Sequence, residues 1–305
     1  MAERPLDSGT GTGHLASAGA PTTVASLVDE ISARLSVCGV RSPLQEARDL
    51  LAALVDEPRF WSVLHADSAP APELVDRARA AAERRALGAP LAYATGLAPF
   101  RHLTLEVDER VLIPRQETEL LPGIVMEHVN VAGGLAVDVG TGSGAIALAL
   151  AAEGDFDRVM GTDLSAQAVA VARRNGQRLR AELLVPVEFR VGAGLAPVMA
   201  ERARVVVSNP PYIAYHELAS LPKSVRDWEP AWALSCAREG LSVTTAIIRD
   251  AVRVLEPGGL LALEVDVRRA GTVAELVATN GAYTDVNVKL DLTGRERFVV
   301  ATREG

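Results

Sequence analysis

The spacing of apolar residues changes twice along the chain, and each change marks a boundary. Over residues 22–89 they recur every three or four positions, as expected for helices with one buried face. The first such helix has its apolar face at Val24, Leu27, Val28, Ile31 and Leu35. Three more helical stretches follow, near residues 45–55, 60–64 and 73–87. Short helices with short connections predict a small helical bundle.

Residues 90–116 alternate apolar with polar positions instead. Leu103, Leu105 and Val107 are separated by polar residues, and a second apolar run at residues 111–113 follows the turn at 108–110. This pattern predicts a β-hairpin made of those two runs. We interpret residues 90–116 as a linker between two domains.

From residue 117 to the end, short apolar runs alternate with helical stretches. The runs predict seven strands, at residues 135–139, 158–162, 187–191, 204–207, 260–265, 283–290 and 297–302. Helices are predicted at residues 118–129, 145–152, 164–180, 241–255 and 268–279. Such alternation is typical of βαβ units. We therefore expect an α/β domain over residues 117–305, with a mostly parallel sheet covered by helices on both faces.

Composition narrows the class of protein. Residues 1–21 are rich in Gly, Ser, Thr and Ala and have little to bury, so a disordered tail is expected. The net charge of -8 argues against a surface that follows nucleic-acid phosphates, and no membrane span or signal peptide is recognisable. Cys38 and Cys236 are too few for a disulfide framework, and no two histidines are four residues apart. We expect a cytoplasmic protein without a metal site and without a membrane or direct nucleic-acid partner.

A glycine-rich loop, Asp138 to Gly144, lies between the first predicted strand and the next helix. Glycines allow a tight turn and a close approach of the backbone to a ligand. Asp163 follows about twenty residues later, where an acid accepts the hydrogens of a ribose diol. The loop predicts a nucleotide-type ligand, and its glycines also fit the dinucleotide fingerprint of a nicotinamide enzyme. Asp138 favours another ligand, because an acid repels a pyrophosphate but suits the cationic methionine end of S-adenosylmethionine.

The fourth predicted strand ends in Ser208, Asn209, Pro210, Pro211 and Tyr212. Two prolines end the ladder of hydrogen bonds and stiffen the chain. An amide side chain, a rigid carbonyl and an aromatic ring therefore meet at the carboxyl end of a strand, where α/β sheets bind ligands. The alternative is a Pro-Pro turn that merely closes a buried strand.

These motifs resemble those of a known family. Residues 138–144 (DVGTGSG) resemble motif I of class I S-adenosylmethionine methyltransferases, and residues 209–212 (NPPY) resemble the signature of amino-methylating members. Residues 112–119, 225–234 and 291–297 resemble three segments of the HemK/PrmC branch. The similarity extends from about residue 24 to the end of the chain.

The resemblance implies a Rossmann-like class I methyltransferase domain with a seven-stranded, mostly parallel sheet. Its helical N-terminal domain would recognise the substrate. The family uses S-adenosyl-L-methionine to methylate the glutamine amide in the Gly-Gly-Gln motif of class I peptide chain release factors, the implied partner. The implied cofactor-binding residues are Asp138, Gly140, Thr141, Gly142, Ser143, Gly144, Asp163, Gly194 and Asn209.

The same resemblance assigns the substrate to residues 209–212, with Asn209, Pro210 and Tyr212 catalytic and Pro211 in substrate contact. The Asn209 side-chain oxygen and the Pro210 carbonyl are two acceptors for the hydrogens of one planar NH₂ group, and the Tyr212 ring can cover it. By resemblance, three further residues would lie near the cofactor or the entering glutamine: Phe100, Arg115 and Glu117. Their alternative roles are hairpin packing and helix capping.

Four features depart from the family pattern. Gln116 replaces a proline, and Gly192-Ala193-Gly194 offers only backbone where an acid beside an apolar residue is common. Asp266 and Arg269 replace glycine and glutamine, and residues 91–96 are smaller than usual. A divergent paralogue with another substrate, such as a ribosomal protein, therefore stays open. So do a nucleic-acid amino methyltransferase, a nucleotide-binding oxidoreductase and a catalytically silent binding protein.

Overall fold

A computed structural model of the chain describes residues 22–129 and 133–305, and the predicted tail at residues 1–21 lies outside them. The chain begins with five helices: α1 Val24–Val37, α2 Pro43–Val55, α3 Trp61–Leu64, α4 Pro72–Ala86 and α5 Leu91–Thr95. The predicted apolar face of α1 is buried against α2 and α4. Thr23 and Ser26 form a capping box at the start of α1. The predicted helical bundle is confirmed.

The hairpin is present, and the run that begins at Leu103 is one of its strands, but the other predicted strand, at residues 111–113, was wrong. Strand β1 Leu97–Phe100 pairs antiparallel with β2 Leu103–Glu106, whereas residues 111–113 are in no strand. The turn is at Arg101, with a φ of 54°, and His102. Pro99 made the first strand hard to recognise, because proline cannot donate to a ladder and is tolerated only at an edge. In this two-stranded sheet every position is at an edge.

The larger domain contains the predicted seven-stranded sheet. The first four strands of this sheet are β3 Leu135–Val139, β4 Arg158–Asp163, β5 Val187–Val191 and β6 Ala203–Ser208. The last three are β9 Leu255–Glu264, β10 Tyr283–Leu290 and β11 Glu296–Arg303. Between these two groups, β7 Ile213–Ala214 and β8 Ser235–Cys236 pair with each other in a separate two-stranded sheet. Their order across the sheet is β10-β11-β9-β6-β3-β4-β5. The five strands from β9 to β5 are parallel, and β11 is antiparallel to both of its neighbours.

The helices of this domain are α6 Leu120–His128, α7 Ala145–Glu153, α8 Ala166–Arg178, α9 Lys223–Arg226, α10 Ala231–Leu234, α11 Ala237–Gly240, α12 Ser242–Val254 and α13 Ala270–Thr279. The helix predicted at residues 118–129 is a 3₁₀ turn, Glu117–Glu119, followed by α6. Strand β9 begins at Leu255 instead of the predicted residue 260, because Pro257 to Gly259 form an irregularity inside the strand.

The central strands are buried on both faces, so their side chains divide between two apolar layers. Val205 and Val207 pack with the hairpin, α6, α7 and α8, whereas Val137 and Val206 pack with α12 and α13. The chain runs outward from β3 in both directions, to β4 and β5 on one side and to β6 and β9 on the other. The carboxyl ends of β3, β4 and β6 therefore surround a topological switch point, where such sheets bind ligands.

Candidate active site

The glycine loop, Asp163 and the NPPY segment are neighbours because their strands are neighbours. Val139, the last residue of β3, is level with Thr162 of β4 on one side and with Ser208 of β6 on the other. The Ser208 hydroxyl donates to the Val139 carbonyl over 2.6 Å and ties the two strand ends together. A cavity of about 540 Å³ opens at this edge, within the size range of small-molecule sites.

Three predicted glycines form part of the cavity wall: Gly140, Gly142 and Gly194. Each has a positive φ, of 75°, 55° and 52°, and a Cβ at any of them would meet no atom within 4 Å. Since these residues line the cavity, that open space belongs to it. The backbone N–H groups of Gly140 and Thr141 both donate to the Thr162 carbonyl, so the loop is held against β4.

Asp163 also lines the cavity, as predicted for a ribose-binding acid. Its two carboxylate oxygens accept hydrogen bonds from the backbone N–H groups of Gly142, at 3.0 Å, and Ser165, at 2.8 Å. Burial raises the pKa of Asp163 above its usual value. Apolar side chains form much of the remaining wall, including Leu164, Leu195 and Ile247.

Four of the predicted cofactor residues are absent from the cavity wall: Asp138, Thr141, Ser143 and Gly144. The Asp138 Oδ2 atom accepts from the Thr141 hydroxyl over 2.6 Å and from the Ala147 N–H over 3.1 Å. Burial raises the pKa of Asp138 to about 7. Its Oδ1 atom is buried and has no hydrogen-bond partner among the described residues. These residues support the loop from beneath, and their contact with a cofactor stays a prediction.

A second cavity of about 250 Å³ shares residues with the first. Asn209, Pro210 and Pro211 line both, whereas Tyr212 and Arg115 line only the second. The NPPY segment therefore forms a partition between two spaces. Burial and the negative charge of Glu264 raise the pKa of Tyr212 to about 12, so its hydroxyl stays protonated.

Contacts with distant parts of the chain hold this partition. The Asn209 Nδ2 atom donates to the Thr118 hydroxyl over 3.1 Å. The Cys236 thiol donates to the Pro211 carbonyl over 3.1 Å, next to the short ladder between β7 and β8. Gly240 lies so close that a Cβ there would be 2.1 Å from the Tyr212 carbonyl oxygen.

The three residues assigned only by resemblance have different surroundings. The Arg115 guanidinium donates to Glu229 over 2.6 Å, and the Glu229 side chain is almost fully buried. Glu229 also accepts from the Ile113 N–H over 3.3 Å, which holds the linker against the segment before α10. Phe100 is fully buried in the hairpin core, whereas Glu117 is exposed, and neither lines either cavity.

Sequence reasoning missed several residues that hold the site, namely Thr118, Asn175, Glu229 and Cys236. Asn175 had a usable signal, because helical spacing places it on the buried face of α8. Its side chain makes three hydrogen bonds, at 2.7 to 2.9 Å, to both backbone groups of Glu106 in β2 and to the Ser143 carbonyl. It therefore connects the hairpin with the glycine loop.

Within residues 22–129 and 133–305, no group of three or more His, Cys, Asp or Glu side chains is arranged to hold a metal ion. In the same part of the chain, no helix has both the length and the apolar character required to cross a membrane.

The sequence profile of the methyltransferase small domain matches residues 118–221, and that of the PrmC N-terminal domain matches residues 26–96. Among solved structures, the hMettl16 catalytic domain in complex with the MAT2A 3'UTR hairpin 6 has a TM-score of 0.51 at 16% identity, covering 75% of this chain and 82% of that one. This likeness concerns the fold alone.

Whole-chain relatives are more similar. The release factor glutamine methyltransferase of Moorella thermoacetica is 38% identical over 284 residues, covering 92% of this chain and 99% of its own. Those of Deinococcus radiodurans and Mycolicibacterium smegmatis are 38% and 36% identical, and each alignment covers 92% of this chain and 98% of the relative. At this identity and coverage, the chain belongs to the release factor glutamine methyltransferase family.

Proposed function

We propose that this protein transfers a methyl group from S-adenosyl-L-methionine to the side-chain amide nitrogen of the glutamine in the Gly-Gly-Gln motif of class I peptide chain release factors. The observation that carries the proposal is the NPPY partition, with Asn209, Pro210 and Pro211 shared by two cavities. A methyl donor on one side and a glutamine side chain on the other would meet at these residues. The names of the relatives support release factors as the substrate.

The larger cavity fits the cofactor chemically. The open space above Gly140, Gly142 and Gly194 leaves room for a ligand close to the backbone, and Asp163 provides acceptors for a ribose diol. Apolar walls suit an adenine ring, and the Oδ1 atom of Asp138 is a polar atom beneath the loop that has no partner among the described residues. When bound, the cofactor supplies an activated methyl group on a sulfonium.

The protein's own task is to orient a poor nucleophile. An amide nitrogen is weakly nucleophilic because its lone pair is delocalised into the carbonyl. The Asn209 Oδ1 atom and the Pro210 carbonyl accept its two hydrogens and direct the nitrogen toward the methyl group. Charge develops on that nitrogen as the bond forms, and fixed dipoles stabilise such charge without reorganisation. The face of the Tyr212 ring adds a site for positive charge. The N-methylated amide cation is strongly acidic and loses one N–H proton to water, so no titrating base is needed.

We also propose that residues 22–89 form a substrate-recognition domain and that residues 90–116 link it to a methyltransferase domain over residues 117–305. The match of the PrmC N-terminal domain to residues 26–96 supports the first boundary. The ion pair between the partly exposed Arg115 and the buried Glu229 attaches the linker to the second cavity, so a substrate held by the helices would reach the partition from that side.

Mass spectrometry of a purified release factor, incubated with the protein and S-adenosylmethionine, tests the proposal. We expect a gain of one methylene unit at the motif glutamine, and no gain when that glutamine is replaced by glutamate. Asn209→Ala should abolish transfer and leave cofactor affinity largely intact, whereas Asn287→Ala, on the exposed surface of β10, should behave as wild type. Methylation of nucleic acid with none on protein would overturn the proposal.

A further inference from the structure

Residues 213–240, which lie between the NPPY partition and α12, form one wall of the second cavity. We call them the wall segment, and they line that cavity with Ile213, Leu221, Val225, Ala233 and Leu234. We propose that Arg269 is a positioning residue that joins both ends of the wall segment and thereby fixes the Tyr212 backbone. This inference rests on the proposed function.

The two ends of the wall segment meet at the Arg269 side chain. Arg269 lies between β9 and α13, outside the segment. Its Nη2 atom donates to the Oε2 atom of Glu217 over 2.8 Å, near the beginning of the segment. Its Nε atom donates to the carbonyl of Glu239 over 2.6 Å, near the end. The Arg269 side chain is only 12% exposed, so both contacts are largely shielded from water.

Both contacts lead to the backbone of Tyr212. The Oε2 atom of Glu217 also accepts from the Ala214 N–H over 2.9 Å, two residues after Tyr212. On the other side, the carbonyl that accepts from Arg269 directly precedes Gly240. A Cβ at Gly240 would lie 2.1 Å from the Tyr212 carbonyl oxygen and 3.3 Å from the Arg269 Nε atom. Arg269 therefore holds the chain that follows Tyr212 and the chain that packs against it.

The backbone at the end of the wall segment needs such support. Arg238 and Glu239 have φ values of 54° and 55°, in the left-handed region that ordinary side chains rarely adopt. Backbone of this kind persists only where the surrounding structure holds it. The hydrogen bond from Arg269 to the Glu239 carbonyl supplies a contact from outside the segment. Without it, we expect these residues to relax and Gly240 to move away from Tyr212.

Glu217 is shared by two arginines, which provides an internal comparison. Burial opposes its ionisation, but the hydrogen bond from Ala214 and the two arginines together keep its pKa below the usual value. Its Oε1 atom accepts from Arg268 over 2.6 Å. Arg268 is 61% exposed, and its other ion-pair partner is Asp266. Among the described residues, Arg268 makes no hydrogen bond to the end of the wall segment, so Arg269 alone joins the two ends.

The shape of the guanidinium is needed as well as its charge. The Nε and Nη2 atoms belong to one rigid plane, so they hold the Glu217 carboxylate and the Glu239 carbonyl at a fixed separation. A lysine keeps the charge but has a single nitrogen on a flexible stem. Glutamine is more usual at position 269 in the family pattern, and its amide has no charge for Glu217. The joint is therefore a feature of this chain.

Steady-state kinetics with a release factor substrate test the positioning role. Arg269→Met and Arg268→Met each remove one arginine from Glu217 and leave the other, so they are matched in charge. We expect Arg269→Met to lower kcat and kcat/KM together, by about tenfold to a hundredfold, because Tyr212 is misplaced. Arg269→Lys should recover only part of this loss. Arg268→Met should have nearly wild-type kinetics, because an exposed ion pair contributes little.

Two measurements separate misplacement from partial unfolding. Rates are expressed per S-adenosylmethionine site counted by calorimetry, and the Kd for that cofactor should change by no more than about threefold, since neither Arg269 nor Glu217 lines the larger cavity. Hydrogen exchange then follows the wall segment without relying on activity. The Ala214 N–H and the amides of residues 237–240 should exchange faster in Arg269→Met than in Arg268→Met.

Each of these results can overturn the proposal. Arg269→Met equal to Arg268→Met in either kcat or hydrogen exchange would contradict the positioning role. A fully active Arg269→Lys variant would show that charge alone suffices. A wild-type protein that leaves the glutamine unmethylated would overturn the proposed function, whereas the exchange comparison would still decide whether Arg269 joins the two ends of the wall segment.

Discussion

A single added methyl group at Gly240 should displace the NPPY partition, because this glycine lies directly against the Tyr212 backbone. It is the last residue of α11 and has a φ of 79°. A Cβ there would lie 2.1 Å from the Tyr212 carbonyl oxygen and 2.7 Å from its carbonyl carbon. Real Cβ contacts essentially never fall below 3.0 Å. Gly240→Ala must therefore move the Tyr212 backbone by at least about 0.9 Å or displace α11.

Two costs follow from this geometry, and they can be separated. An alanine in the left-handed region costs about 1–2 kcal/mol wherever it occurs. The displacement of Tyr212 is specific to this site, and a misplacement of about 1 Å in an active site can lower the rate about a hundredfold. We therefore expect Gly240→Ala to lose kcat far beyond what its loss of stability explains.

Gly281→Ala provides the matched control. Gly281, between α13 and β10, has a φ of 75° and no atom within 4 Å of a Cβ, so its alanine variant carries only the backbone cost. Urea unfolding should show Gly281→Ala destabilised by that amount and Gly240→Ala destabilised at least as much. Methylation of the release factor should be near normal in Gly281→Ala alone. Equal kcat values for the two variants would refute the argument that the position of Tyr212 controls the rate.

Three further changes test the supports of the site. Arg115→Met should lower the free energy of unfolding by about 3–5 kcal/mol, measured by urea titration, because it leaves the buried Glu229 carboxylate without its ion-pair partner. The double variant Arg115→Met, Glu229→Gln should recover most of this lost stability. Asn175→Ala removes the side-chain partner of the buried Ser143 carbonyl and of two part-buried backbone groups of Glu106, and should lower the free energy of unfolding by about 1–3 kcal/mol. Its cofactor affinity, measured by calorimetry, should also fall, whereas an unchanged affinity would show that the glycine loop keeps its shape without Asn175. The pKa of Asp138 is raised from 3.8 to about 7, so the folded protein holds this proton after the unfolded chain has lost it, and stability should fall as pH rises between these values. Asp138→Asn should remove up to about 4 kcal/mol of that pH dependence, and an unchanged pH profile would contradict the assignment.

The seven-stranded sheet was predictable because its signal is local. The strands from residue 135 onward are short, continuous apolar runs, as burial on both faces requires, and most of their bounds agree within one or two residues. The hairpin was misplaced for an equally local reason. Pro99 argues against a strand unless the strand is known to lie at an edge, and pairing partners cannot be read from residues 97–100 alone.

Part of the wall of the larger cavity was also predictable, because the residues concerned follow strand ends. Gly140, Gly142, Asp163, Gly194 and Asn209 all line the larger cavity, each following the strand that the pattern assigned to it. The order of βαβ units brings such ends to one edge of the sheet. The sequence motifs and the order of the strands in the sheet therefore both predict a cavity at this edge of the sheet.

The roles of the supporting residues could not be found in this way: Thr118 and Glu229 lie in segments that the family resemblance marks, but no local pattern shows what their side chains contact. Thr118 and Asn209 lie 91 positions apart in the chain, and the hydrogen bond between their side chains exists only in the folded protein. Cys236 reaches Pro211 through the ladder between β8 and β7.

The NPPY partition explains why so many distant elements converge there. Its two prolines have no N–H groups, so the segment cannot be anchored by donating to a sheet ladder. Other groups must hold it by its acceptors and side chains, and the thiol of Cys236 and the hydroxyl of Thr118 do so. In the proposed function, the Pro210 carbonyl and the Asn209 Oδ1 atom are the two acceptors offered to the substrate. A segment stiffened by proline and held from outside keeps both acceptors aimed at one planar NH₂ group.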